Sequence, residues 1–445
     1  MKRLFGTDGI RGKANTYPIT AEIALKLGKA AAIILKKKEK PIFLIGKDTR
    51  LSGYMLEYAL TSGLTSMGAD VFLVGPMPTP AVAHLTRSFA ADAGIMISAS
   101  HNPSEDNGIK FFDSKGYKLP DDVEEEIEKL ALSPEIKSDH ISSKLIGRAF
   151  RIDDAQGRYI EFAKGTIDNM SLKGIKIVLD CANGAAYKVA PLILGELGAD
   201  LIVLASEPDG NNINKDCGAL HPEVMAAAVL GYNADIGISL DGDADRVILA
   251  DEKANILDGD NILAIAGIDF LEKKRLKNNT IVVTDYTNFA FDALIKQHGG
   301  YTVRTRNGDR YVIEEMRKDN YNLGGEFSGH IIFSDYNTTG DGMIAALQIL
   351  RIMKEKEEPL SHLASSLTKY PQTLVSVKVK EKVPFEKMPE VKKEIERIEK
   401  LLAGNGRLLI RYSGTEMVAR VMVEGENSEK FAKRIADSIK EKIGV

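Results

Sequence analysis

The sequence predicts an α/β protein, three α/β units in series followed by a smaller α+β cap, on three observations. Short runs rich in β-formers alternate with helical patterns almost throughout, the mark of βα units. After Tyr370-Pro371 the character changes to β-α-β-β-α. A length of 445 residues suits roughly three domains, with two or four close behind.

Composition narrows the class. Charged residues make up 27%, the hydrophobic set 44%, and the net charge is −4, which excludes disordered, collagenous and coiled-coil chains. So balanced a charge gives no basis for nucleic acid or an anionic membrane as main partner. Trp is absent, which argues against recognition by stacking. No apolar run approaches the ~20 residues of a spanning helix, and the start MKRLFGTDG lacks the apolar stretch of a signal peptide. Cys181 and Cys217 form no CxxC pair and no disulfide framework, so a reducing, cytoplasmic setting is expected.

The first unit, 1–150, reads as helix 21–38, strand 41–47, helix 53–67, strands 71–74 and 94–98, and acidic helix 121–130. Residues 133–147 are polar and Ser-rich, like a linker. The second, 151–255, has strands 176–180, 201–204 and 236–240, with helices near 189–197 and 223–230. The third, 256–368, opens with a helix after Asp258, then strand 280–284 and helix 289–297; a long helix, 343–355, ends before Pro359. The cap, 369–445, has strand 373–380, helix 390–402, strands 407–412 and 419–424, and helix 429–443.

Four polar loops interrupt this pattern. In ISASHNPSEDNGIK a strand runs into Ser98, Ser100 and His101, then a turn at Gly108 and Lys110. A hydroxyl beside a His at a strand end is where a nucleophile is presented, although Ser, Asn and Pro also make ordinary turns. DGDADR places Asp241, Asp243 and Asp245 at alternate positions, with Gly242 and Ala244 leaving room for compression. Three such carboxylates repel one another unless a cation or Arg246 balances them. An EF-hand fails, because its sixth-position Gly is Arg246 here, so a Mg²⁺ site with few ligands fits better than a calcium loop.

GGEFSGH offers Glu326, Ser328 and His330 among three glycines, a set suited to a polyhydroxylated ligand or to a plain glycine-rich hairpin. RYSGTE offers a cation, two hydroxyls and a run of amides, an anion cradle. Its Ser413-x-x-Glu416 is equally a helix capping box. GxGxxG and P-loop patterns are missing, so a dinucleotide or P-loop site has no support.

The ordered series RLFGTDGIRG, GKDTRLSG, SASHNPSEDNGIKFF, DGDADR, GDRYVIEEM, GGEFSGH, NTTGDG and RYSGTE resembles the α-D-phosphohexomutases from end to end. Within that family it is most similar to the bacterial members that act on glucosamine phosphates. The resemblance implies three similar mixed α/β domains plus a C-terminal α+β lid domain around a central cleft. It implies reversible conversion of glucosamine 6-phosphate to glucosamine 1-phosphate, on the route to UDP-N-acetylglucosamine, with glucosamine 1,6-bisphosphate as intermediate and activator.

It also implies an activating phosphorylation on Ser100, and one Mg²⁺ held by Asp241, Asp243, Asp245 and the Ser100 phosphate. His101, Lys110 and Arg11 match groups around the transferring phosphoryl, Arg246 follows the metal loop, and His330 is a candidate for proton transfer. Glu326 and Ser328 match sugar contacts; Arg411, Ser413, Gly414, Thr415 and Arg420 match the distal phosphate site. The partner is a small phosphosugar, with a monomer or homodimer both open. Two departures stand out: Phe327 where these enzymes commonly have Gln, and Met417-Val418 in place of a Pro-containing continuation. A phosphomannomutase/phosphoglucomutase of the same family, a Mg²⁺-dependent sugar phosphatase and a sugar-phosphate sensor are the alternatives.

Overall fold

Four sheets follow one another along the chain, each built from one continuous stretch. This computed structural model describes residues 4–6, 8–134, 136, 141–402, 404–413 and 417–445. The first sheet has strands β1 (Ile10–Lys13), β2 (Ile42–Lys47), β3 (Asp70–Pro76), β4 (Ala93–Ile97), β5 (Asp106–Asp113) and β6 (Ala149–Arg151), in the order β1-β5-β4-β2-β3-β6. β2 and β4 are buried almost throughout, as parallel strands covered on both faces should be. β5 runs antiparallel to β4 and β1, so the sheet is mixed.

The second sheet takes β7 (Lys176–Asp180), β8 (Asp200–Leu204), β9 (Ile236–Leu240), β10 (Val247–Asp251) and β11 (Ile256–Leu257) in the order β11-β10-β9-β7-β8. The third takes β12 (Thr280–Thr284), β13 (Tyr301–Thr305), β14 (Leu323–Gly325) and β15 (Ile331–Phe333) in the order β13-β12-β14-β15. Each again joins parallel pairs to an antiparallel edge. The last sheet, β16 (Gln372–Lys378), β17 (Gly406–Tyr412) and β18 (Val418–Gly425), is antiparallel in the order β16-β18-β17. Helices Pro389–Leu402 and Ser428–Ile443 share its core through Ile398, Ile435 and Ile439, packed with Val421 and Val423.

The chain forms two compact units, Met1–Asp285 with Gly299–Ser365, and Tyr286–His298 with Ser366–Val445. Within the second unit, Asn288 Nδ2 donates to the Tyr370 carbonyl at 3.0 Å and Arg407 Nη2 to that of Thr287 at 3.0 Å. No helix among the described residues is long and apolar enough to cross a membrane.

Most elements lie where sequence pattern placed them, with instructive departures. The first helix stops at Ile34 rather than 38, because the run after it is Lys36, Lys37 and Lys38 with Pro41 close behind. Gly108 and Lys110 are not a turn: both lie in β5, paired with Arg11 and Met96. Asn107 and Lys110 are polar yet buried in a strand covered on both faces, so the polarity that suggested a loop belongs to the site. In RYSGTE, Arg411 and Tyr412 end β17 and Ser413 follows it, residues 414–416 lie outside the described residues, and the next described element is strand β18 rather than a helix. Helices Thr79–Ser88, Ala155–Gly165 and Asp309–Lys318 are additions to the elements expected from the sequence.

Candidate active site

The serine loop joins β4 to β5, and the acidic loop joins β9 to β10. Ser100 takes a left-handed backbone, φ 52°, and its hydroxyl donates to Asp241 Oδ2 at 2.7 Å. Asp241, Asp243 and Asp245 are buried, and their nearest ligand atoms all lie within 4.8 Å of one another. Gly242 does not leave room for an ion, as sequence suggested; it lets backbone meet backbone, for a Cβ there would lie 2.6 Å from the Ser100 carbonyl oxygen.

Cations crowd these carboxylates. Lys110 Nζ lies 3.0 Å from Asp243 Oδ2, 3.1 Å from Asp8 Oδ2 and 3.8 Å from Asp245 Oδ2. Burial would lower the Lys110 pKa, but Asp243, Asp8 and Asp245 together raise it, so the ammonium stays charged. Burial, reinforced by Asp245 and Asp243, pushes Asp241 well above the usual carboxylate range. Asp245 moves the other way: His330 and Lys110 overcome its burial and hold it low. Asp8 ion-pairs with Arg11, Lys110 and Lys118 and so ties three cations together.

His101 sits next to Ser100 but is not free to act as its base. Its Nδ1 accepts from Arg246 Nη1 at 2.9 Å, while Ser100 Oγ is 3.4 Å from the same nitrogen. Burial, then Arg246 and Arg11, push the imidazole down to about 4, so it is neutral at pH 7. His330 is buried with Nδ1 3.6 Å from Asp245 Oδ2. Burial lowers its pKa, and Asp245, Asp309 and Glu326 together raise it overall, yet Gly340 N–H donates to Nε2 at 3.1 Å. That contact needs an unprotonated Nε2, which leaves the ring proton on Nδ1, facing Asp245.

The acidic triad passes a test for a hard cation. Asp243 Oδ1 and Asp245 Oδ1 are buried and find no hydrogen-bond partner among the described residues. Orphaned buried carboxylate oxygens are costly unless something positive meets them, and three convergent carboxylates suit Mg²⁺. Arg11 Nε and Arg246 Nε are likewise buried without a hydrogen-bond acceptor among the described residues, Arg246 Nε standing 3.8 Å from Asp245 Oδ1. These are unspent donors for an anion.

The GGEFSGH segment links β14 to β15 and docks on the strand that follows the acidic loop: Val247 N–H donates to the Gly329 carbonyl at 3.1 Å. Gly329 has φ 91°, and a Cβ there would lie 2.2 Å from the Val247 carbonyl oxygen, so this position requires glycine. Glu326 is buried; its Oε1 accepts from Gly308 N–H at 2.8 Å and its Oε2 from Ser328 Oγ at 3.3 Å. Phe327 is 41% exposed.

In the second unit, Arg411 and Arg420 are directly opposed across β17 and β18. Like charges in a cross-strand pair are unfavourable, and an anion between them would relieve that. Arg411 also donates to Tyr286 Oη at 2.9 and 2.6 Å. Ser413 is buried beside them in sequence, while Gly414 and Thr415 lie outside the described residues.

Sequence reasoning missed several residues that build this site. Thr79 Oγ1 donates to Asp243 Oδ2 at 2.6 Å, and Lys118 pairs with Asp8 and Asp309. Asp8 stood inside a quoted motif and could have been singled out; Thr79, in PMPTP, carries no signal of its own.

The chain matches known proteins over its whole length. Residues 2–136, 157–255 and 258–370 match phosphoglucomutase/phosphomannomutase alpha/beta/alpha domains I, II and III, and residues 374–442 match the C-terminal domain. A phosphoglucosamine mutase of Geobacter sp. (strain M21) is 55% identical, covering 100% of this chain and 99% of that one. Among solved structures, a family protein from Burkholderia thailandensis superposes with TM-score 0.82 at 23% identity, covering 100% of both chains. Aspergillus fumigatus N-acetylphosphoglucosamine mutase, in complex with GlcNAc-6P and magnesium, gives TM-score 0.70 at 19% identity, over 98% of this chain and 95% of that one.

Three α/β domains and a small C-terminal domain, with a serine loop packed on an acidic loop, define an isomerase of the phosphohexomutase class. The chain belongs to the phosphoglucomutase/phosphomannomutase family.

Proposed function

We infer that this protein interconverts glucosamine 6-phosphate and glucosamine 1-phosphate through a phosphate carried on Ser100. The observation that carries the reading is the Ser100 hydroxyl, 2.7 Å from Asp241, on a loop whose neighbours hold cations: Lys110 on Asp243, Arg11 on the Ala99 carbonyl and Arg246 on His101. The full-length likeness to phosphoglucosamine mutases supplies the sugar.

Phosphoryl transfer depends on positioning and charge neutralisation more than on covalent help. Asp241, Asp243 and Asp245 would hold Mg²⁺ together with an oxygen of the Ser100 phosphate; when bound, the ion offsets charge on the transferring group. Lys110 adds a fixed positive charge, and the unspent Nε donors of Arg11 and Arg246 face the same need. His101, neutral and pinned by Arg246, orients that guanidinium rather than taking a proton. His330, with its Nδ1 proton toward Asp245, is the candidate for proton exchange with the sugar hydroxyl.

Glu326 and Ser328 would read sugar hydroxyls or the amino group. Arg411, Arg420 and the Ser413–Thr415 run would grip the non-reacting phosphate. Glucosamine 1,6-bisphosphate would be the intermediate, reoriented between the two half-reactions, and would also restore a dephosphorylated Ser100. The setting is cytoplasmic. Incubation with glucosamine 6-phosphate, followed by ³¹P NMR, should show glucosamine 1-phosphate growing in. Free phosphate as the only product would replace this reading with a phosphatase.

A further inference from the structure

Beneath the serine loop lies a buried ion pair, Arg50 with Asp48, each with 0% side-chain exposure. Arg50 Nε donates to Asp48 Oδ2 at 2.8 Å. Its other donors go to one loop: Nη2 to the carbonyls of Ser100 and Asn102, both at 2.9 Å, and Nη1 to those of Asp106, at 3.1 Å, and Pro103. Asn214, between β8 and β9, also donates Nδ2 to the same Ser100 and Asn102 carbonyls, at 2.9 and 3.1 Å. The amide side is tied as well. Ser100 N–H donates to Ser98 Oγ at 2.9 Å, and Ser98 Oγ to Asp48 Oδ2 at 2.5 Å. The hydrogen bonds close a ring that starts and ends on Ser100.

A buried ion pair is a poor source of stability, since desolvation offsets most of the attraction. This one spends its remaining donors on carbonyls of a single loop, which fixes that loop's path. The path includes a left-handed non-glycine residue, and such a backbone persists only where its surroundings over-determine it. Ser100 is that residue. Released from the clamp, it would relax to negative φ and turn its hydroxyl away from Asp241.

We propose that Arg50 and Asn214 are positioning residues that hold Ser100 left-handed, with its oxygen aimed at the acidic loop in both half-reactions. The proposal rests on Ser100 as the phosphate carrier. Lysine at 50 would keep the charge opposite Asp48 but not the planar fork that reaches several carbonyls at once. Asn214 is itself left-handed, φ 58°, so glycine removes its amide without straining the backbone.

The test uses full-length protein with Arg50→Lys, Asn214→Gly and the double substitution. In metal-free, unphosphorylated protein, amide exchange across 99–102 should accelerate about tenfold or more in each single variant, with β2 and β4 unchanged. In turnover, kcat should fall about tenfold or more while KM stays within about twofold, and the double variant should lose less than the product of the singles. Unchanged exchange in both variants overturns the clamp, and so does unchanged kcat in a loosened loop. Turnover by a parent that never carries phosphate on Ser100 overturns the reading of Ser100 and with it the catalytic half, whatever the exchange shows.

Discussion

Gly242 lies against Ser100 so closely that a Cβ on Gly242 would come within 2.6 Å of the Ser100 carbonyl oxygen. The acidic loop and the serine loop therefore meet backbone to backbone, and the Ser100–Asp241 distance depends on that approach. Gly242→Ala should push the loops apart. Overpacking of this kind costs about 1–3 kcal/mol, and a displacement near 1 Å at a reacting group costs roughly a hundredfold in rate. We expect a stable but nearly inactive variant, read from thermal unfolding and steady-state kinetics. A kcat within twofold of the parent would mean the contact is incidental.

Removal of divalent metal should stop turnover, and Mg²⁺ should restore it. Asp243→Asn should weaken Mg²⁺ by about tenfold or more, through loss of one hard anionic ligand from three. The same substitution loosens Lys110 and Thr79, which both contact Asp243 Oδ2. Calorimetric titration of unphosphorylated protein checks this without reference to activity. Equal affinity in parent and variant would contradict the metal site.

Asp341 supplies a pH dependence away from the acidic triad. Its carboxylate caps helix Gly342–Lys356 and accepts from Tyr159 and Asn337, yet burial pushes it up to about 6 despite those bonds. The folded carboxyl then holds its proton more tightly than the unfolded one, whose value is near 3.8. Its contribution to stability is full below pH 3.8 and is lost as pH rises through about 6, a swing of about 3 kcal/mol. Asp341→Asn cannot ionise, so urea unfolding should show the parent losing most of that swing relative to the variant between pH 4 and 7. Parallel curves would contradict it.

The two arginines of the last sheet should matter for affinity. Arg411→Ala removes one guanidinium of an opposed pair and its grip on Tyr286 Oη. KM for the phosphosugar should rise about tenfold, with a smaller fall in kcat. Unchanged kinetics would leave RYSGTE as a structural hairpin.

Phe327 should tune the choice of sugar. At 41% exposure it is not core, so Phe327→Gln should shift stability by less than about 0.5 kcal/mol. A regained neutral hydrogen bond is worth roughly 0.5–1.5 kcal/mol, so preference for glucosamine 6-phosphate over glucose 6-phosphate should rise by up to about tenfold. A large loss of stability with an unchanged ratio of kcat/KM would make Phe327 a packing residue.

The regular elements were legible because their periodicities are ordinary: β9 and the helix Ser428–Ile443 lie close to where pattern alone puts them. The misreadings that bear on the chemistry lie at the site. β5 buries Asn107 and Lys110 in a strand, which reads as a loop in any scheme that expects polar residues outside. DGDADR announced its chemistry through charge, whereas Thr79 and Asn214 are ordinary polar residues brought in by topology. His101 illustrates the converse: adjacency to Ser100 suggested a base, and the fold gave its lone pair to Arg246.

The most direct measurement is peptide mass spectrometry of the purified protein and of Ser100→Ala, with glucosamine 6-phosphate turnover followed in both. Ser100 is a polar loop group, so alanine should leave the fold intact. The account predicts one phosphate, on the peptide containing Ser100, and loss of both phosphate and nearly all mutase turnover in the variant. Turnover by Ser100→Ala within a few-fold of the parent would contradict it.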